Sequence, residues 1–117
     1  MRRTVLAPML ASLLMTVASQ AEDIIFKPEL ENSEVRVVRI RIAPRRHIPM
    51  HEVPPHVAIW LTEAHLKITY PDGKTDLQHF SPGQVGWVTL GKHAGENVGN
   101  KAIEFIAVEP RRSPSPP

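Results

Sequence analysis

The chain has 117 residues, among them 14 lysines and arginines, 12 aspartates and glutamates, 12 prolines and no cysteine. Lacking cysteine, it has no disulfides, no thiolate metal ligands and no cysteine nucleophile, so packing alone must hold the fold. The surplus of two positive charges equals Arg2 and Arg3, and past them twelve basic residues face twelve acidic ones, so the charge gives no support for nucleic-acid binding, and no nucleic-acid partner is expected.

Residues 1–21 read as an address. Met1-Arg-Arg is basic, Val5 to Ala18 is apolar, and Ser19-Gln20-Ala21 supplies small residues at a cleavage position, so a cleavable signal peptide and a periplasmic or secreted product are expected. The apolar run falls short of the roughly 20 residues that span a bilayer and is broken by Pro8, so no stable membrane insertion is expected once it is removed. What remains is enough for one domain and one core.

Residues 22–33 form an acidic N-terminal extension carrying Glu22, Asp23, Glu29 and Glu31, and a segment rich in arginine follows it. Val35 to Ile42 alternates apolar and basic residues, with one slip at Val37-Val38 that a bulge would absorb, and is predicted to be a strand with one wet face. From Pro44 to Pro55 prolines remove backbone donors, so this segment, which carries His47 and His51, is predicted to be extended but poorly paired. His56 to Leu61 and Ala64 to Tyr70 are predicted as the strongest strand pair. Pro71-Asp-Gly-Lys74 is a turn signal that returns Thr75 to Phe80 as a hairpin partner. Ser81-Pro-Gly83 turns into Val85 to Leu90, Gly91 to Gly99 reads as a loop-rich link, and Lys101 to Glu109 is the last strand. The tail 110–117 is rich in proline and expected to be disordered. Six or seven short strands without a helix predict an all-β sandwich or rolled barrel.

In this order of elements His51 lies in the proline-rich passage and His93 on a glycine-punctuated turn between two strand-like runs, positions that a small barrel can bring to one interior point. Gly83, Gly91, His93 and Asn97 follow a glycine, strand, turn, histidine, asparagine pattern, and His51 opens an earlier histidine motif whose following turn is Leu61-Thr-Glu-Ala64. With phrases such as Tyr70-Pro-Asp-Gly-Lys-Thr75 and Glu96-Asn-Val-Gly99, residues 34–109 resemble a small single-domain bacterial cupin, a jelly-roll barrel or double-stranded β-helix.

The resemblance departs from the family pattern where the second histidine and the glutamate of the first motif would fall, on Val53 and on Val57 or Ala58, and Thr89 stands for a proline. It implies a divalent transition metal (Fe, Mn, Ni or Zn) on His51 and His93, with His56 as a third ligand if the Pro54-Pro55 kink turns it inward. It also implies a homodimer, joined through an edge strand for which Val35 to Ile42 is the candidate. Two functions stay open: an exported binding module that holds a small molecule in its barrel, and a metal-dependent dioxygenase or isomerase acting on a small organic acid or sugar.

The pocket is expected to involve Trp60, Trp87 and Asn97. Core filling is an alternative role for both tryptophans, and Asn97 could instead brace the strand below His93. His65 and His79 are expected on solvent faces, His47 on a solvated edge, and Glu52 and Glu96 at the surface.

Overall fold

The computed structural model describes residues 23–111. The expected signal peptide, and the tail beyond Arg111, lie outside the described residues. Those described contain nine strands and no helix: β1 (Ile24–Glu31), β2 (Val35–Ile42), β3 (His47–His51), β4 (His56–Trp60), β5 (Ala64–Thr69), β6 (Thr75–Phe80), β7 (Val85–Val88), β8 (His93–Asn97) and β9 (Ile103–Pro110). They form two antiparallel sheets, one ordered β1-β2-β9-β4-β7 and the other β3-β8-β5-β6.

The period of two along the strands sets the interior. Val38, Ile40 and Ile42 of β2, Ala58 and Trp60 of β4, Ala64, Leu66 and Ile68 of β5, and Ile103 and Ala107 of β9 are buried in one core. Trp60 lies flat against Phe80, ring centroids 4.1 Å apart, and tilted against Phe105 at 4.5 Å, so one indole joins the two sheets. The intervening residues face out. On that face Arg39 of β2 reaches Glu29 at 3.4 Å and Glu104 at 3.2 Å. The acidic extension and the arginines after it thus become neighbouring strands. Exposed pairs of this kind are screened by solvent, so they specify register more than they stabilise.

Several expectations need correction. β4 and β5 are consecutive and well formed but do not pair: β4 lies between β9 and β7, and β5 between β8 and β6. The Leu61–Glu63 corner carries the chain from one sheet to the other, which separates two strands that sequence proximity alone would have joined. β2 is no edge, because β1 covers it on one side and β9 on the other. Its predicted bulge sits on the partner: the β2–β9 register is continuous, whereas the β1–β2 register shifts between Pro28 and Leu30, opposite Val38 and Val37. The Gly91–Gly99 link contains β8, whose His-Ala-Gly-Glu-Asn sequence has no β-branched residue yet pairs with both β3 and β5. Partners on both sides outweigh weak intrinsic propensity there.

The Pro71–Lys74 turn forms as predicted. Tyr70 N–H donates to Lys74 O at 2.9 Å, Gly73 N–H donates to Tyr70 O at 2.9 Å, and Gly73 takes a φ of +89° that suits glycine. β5 and β6 then pair from Ala64↔Phe80 to Thr69↔Thr75.

Candidate functional site

Between the sheets lies a cavity of about 510 Å³, within the size range of small-molecule sites. Trp60, Leu66, Ile68, Phe80, Phe105 and Ala107 form its apolar wall. His51, His56, His93, Arg36 and Glu109 line its mouth, and Gln78, the register partner of Leu66, also lines the cavity. Arg36 and Glu109 are register partners in β2 and β9, and their side chains pair at 3.3 Å.

Strand register delivers the three histidines to this mouth. His51, the last residue of β3, is the direct partner of His93, the first residue of β8, and their ring centroids are 6.3 Å apart. His56 opens β4 in the opposite sheet. It shares the inward face with Ala58 and Trp60 and is 6 % exposed, so strand alternation alone turns it in. His51 stays exposed on an edge strand, and His93 is partly buried.

The three rings are held alike. The Nδ1–H of His51 donates to Pro49 O at 2.8 Å, that of His56 to Pro54 O at 2.9 Å, and that of His93 to Gly91 O at 2.8 Å. A carbonyl can only accept, so each Nδ1 carries the hydrogen and each neutral ring keeps its lone pair on Nε2. Each bond reaches two residues back along the chain: to Pro54 and Gly91 just before β4 and β8, and to Pro49 within β3. The result is three oriented acceptor nitrogens. Burial holds the imidazole of His93 below the usual histidine value; its bond to Gly91 opposes this, while nearby charge on His51 and His56 adds to it.

These nitrogens do not close around one ion. Three ligand atoms on one ion at bonds of about 2.1 Å lie within roughly 4.2 Å of one another. Among the described residues, the set of three that brings its ligand atoms within 4.8 Å is Glu63, His65 and His79, on the outer surface, and not His51, His56 and His93. The residues predicted as metal ligands are therefore gathered at one mouth without forming a three-imidazole site.

Of the expected pocket residues, Trp60 lines the cavity, 4 % exposed. Trp87 does not: it is 57 % exposed on the outer face of β7, an edge strand whose sequence reads as a core strand because Val85, Trp87 and Val88 are apolar. Asn97 is corrected as well. It is fully buried at the far end of β8, where Nδ2 donates to Lys101 O at 2.8 Å, Ile42 O at 3.1 Å and Ala43 O at 3.3 Å, and Oδ1 accepts from Gly99 N–H at 3.0 Å. Every polar atom of that side chain is occupied, so it closes the barrel floor and offers nothing to a ligand. Sequence reasoning missed the Arg36–Glu109 pair at the mouth, whose side chains come from strands 73 residues apart.

The outer cluster was missed too. His65 and His79 are direct partners across β5 and β6, with ring centroids 4.5 Å apart. Glu63, in the turn before β5, accepts a hydrogen bond from His79 Nε2 at 3.0 Å and lies 3.7 Å from His65 Nε2. The bond from His79 is the main cause holding the Glu63 carboxyl below its ordinary value, desolvation opposes it, and the charges of His65, His79 and Lys101 add to it.

The architecture is that of the cupin double-stranded β-helix. A cupin domain from Bordetella pertussis superposes with a TM-score of 0.71 at 18 % identity, over 81 % of this chain and 100 % of that one. An RmlC-like cupin from Methanocaldococcus jannaschii gives 0.62 at 14 % identity, over 88 % and 94 % of the respective chains. The polyketide cyclase RemF from Streptomyces resistomycificus gives 0.59 at 18 % identity, over 80 % and 69 %. No protein-family model matches the chain, and no curated protein matches it in sequence. Likeness at these identities establishes the fold.

Proposed function

We propose that this chain is an exported cupin-fold binding protein that takes one small organic molecule into its barrel, apolar body inward and a hydrogen-bond-donating head at the histidine mouth. The observation that carries the reading is the shared orientation of His51, His56 and His93. Each Nδ1–H is engaged with its own backbone, so each Nε2 is an acceptor for a hydroxyl or a protonated acid. The wall of Trp60, Phe80, Phe105, Leu66 and Ile68 suits an aromatic or aliphatic body. The basic, then apolar, then small pattern of residues 1–21 supports export.

The metal-dependent alternative, a dioxygenase or isomerase, requires three protein ligands on one ion with an open position. The spacing of these three rings argues against it, and the binding reading stands ahead.

The test is calorimetric titration with 2-naphthol, which has an apolar body and one hydroxyl, against naphthalene, which lacks the hydroxyl. Binding of 2-naphthol at least about tenfold tighter than naphthalene is expected, the equivalent of one hydrogen bond of about 1.4 kcal/mol. His56→Ala should remove that preference, and Val88→Trp, at the mouth, should block both compounds. Equal binding of the two by the native chain, or binding untouched by Val88→Trp, refutes the reading.

A further inference from the structure

We propose that Glu63, His65 and His79 form a second site, on the outer face of the β5–β6 hairpin, that binds a borderline divalent transition-metal ion of the zinc or copper class. Nothing about it depends on the barrel cavity. Two imidazoles and one carboxylate are a donor set that such ions favour, and their three ligand atoms lie within 4.8 Å of one another.

Both nitrogen-to-carboxylate separations fit one ion. At bonds of about 2.05 Å, the 3.0 Å between His79 Nε2 and Glu63 Oε2 corresponds to an angle at the ion of about 95°. The 3.7 Å between His65 Nε2 and the same oxygen corresponds to about 130°. These bracket the tetrahedral value. The ion would take the place of the Nε2 hydrogen that His79 donates to Glu63: in a neutral ring that hydrogen moves to Nδ1, in an imidazolium it leaves to solvent, and the ion's remaining positions go to water.

The ligands are held from behind. His65 and His79 are fixed opposite each other by the hairpin register. Gly99 lies under His65, where an added Cβ would come within 3.7 Å of the ring, and His65 O accepts from Val98 N–H at 3.0 Å. The corner bearing Glu63 is tied to β9, because Thr62 Oγ1 accepts from Glu104 N–H at 3.0 Å and Leu61 N–H donates to Glu104 O at 2.9 Å. A stacked pair of facing histidines on a sheet surface, with a carboxylate anchored beside them, therefore exists before any ion arrives. An ion bound there would clip the hairpin to the corner that links the sheets.

The experiment uses the chain without its leader and without a histidine tag, stripped with a chelator and titrated with zinc chloride and with copper sulfate at pH 7.5 by calorimetry. One equivalent is expected to bind, at least tenfold more weakly in each of His65→Ala, His79→Ala and Glu63→Gln, and with unaltered affinity in the His51→Ala/His93→Ala double variant. In parallel, zinc should raise the melting midpoint of the native chain and not that of His79→Ala. Binding that survives both His65→Ala and His79→Ala, or that is lost in the His51→Ala/His93→Ala double variant, overturns the proposal by placing the metal elsewhere.

Discussion

Replacing Asn97 tests whether its buried carboxamide is the floor of the barrel. Its amide has two hydrogens facing three carbonyls: one is directed at Lys101 O, at 2.8 Å, and the other is shared between Ile42 O and Ala43 O, at 3.1 and 3.3 Å. With the bond accepted from Gly99, three hydrogen bonds are lost in Asn97→Ala, each worth about 1 kcal/mol net, so destabilisation of about 3 kcal/mol is expected. Asn97→Asp keeps the shape but turns a carboxylate oxygen toward the same carbonyls, and should cost at least as much. For a domain of this size, with an unfolding entropy of about 2 cal/mol/K per residue, 3 kcal/mol corresponds to a fall in melting midpoint of about 15 °C. Thermal melting by circular dichroism measures it. A midpoint within about 3 °C of the native chain in Asn97→Ala would refute the bracing role, and would refute it more sharply if 2-naphthol binding fell at the same time.

The two tryptophans should separate cleanly: Trp87→Phe, exposed on an edge, changes stability by no more than about 0.5 kcal/mol and removes the red-shifted part of the emission, while Trp60→Ala, stacked between Phe80 and Phe105, costs about 3–5 kcal/mol; denaturant titration of both variants checks it, and similar losses would contradict the placement. His93 titrates below its ordinary 6.5, so between that value and its lowered one the unfolded chain binds more protons, and its contribution to stability falls as pH falls through this window and is constant above it. Proton NMR of its ring should show a midpoint below 6.5, and the His93→Gln variant should lose less stability than the native chain on going from pH 7 to 5.

The hairpin was legible because Pro71-Asp-Gly-Lys74 fixes a turn by local chemistry, and alternation then placed Ala64, Leu66 and Ile68 inside. The meeting of His51 with His93 was legible through the motif resemblance, whereas His56, which the sequence reading turned inward only through a Pro54-Pro55 kink, faces inward by alternation with Ala58 and Trp60. What stayed hidden depends on which strands become neighbours. β8 has no strand signal of its own, and Trp87 looks internal until β7 is seen to have one partner, β4, among the described strands. Taken singly, His65 and His79 are ordinary wet residues, as expected, and they become a cluster only when the hairpin sets them opposite each other beside Glu63. Asn97 was placed near the pocket with the histidine and asparagine motif, but it sits at the opposite end of β8 from His93.

The four sheet margins are unequally protected. Pro28 and a register break interrupt β1, Pro49 removes a donor from β3, and β6 carries Asp76. The short Val85-Gly-Trp-Val88 run carries neither proline nor charge, so among the described residues its outward amides and carbonyls are unguarded beside an exposed indole. Storage at high concentration therefore puts pressure on that margin first, and a lysine in place of Val85 is the economical way to keep preparations dispersed.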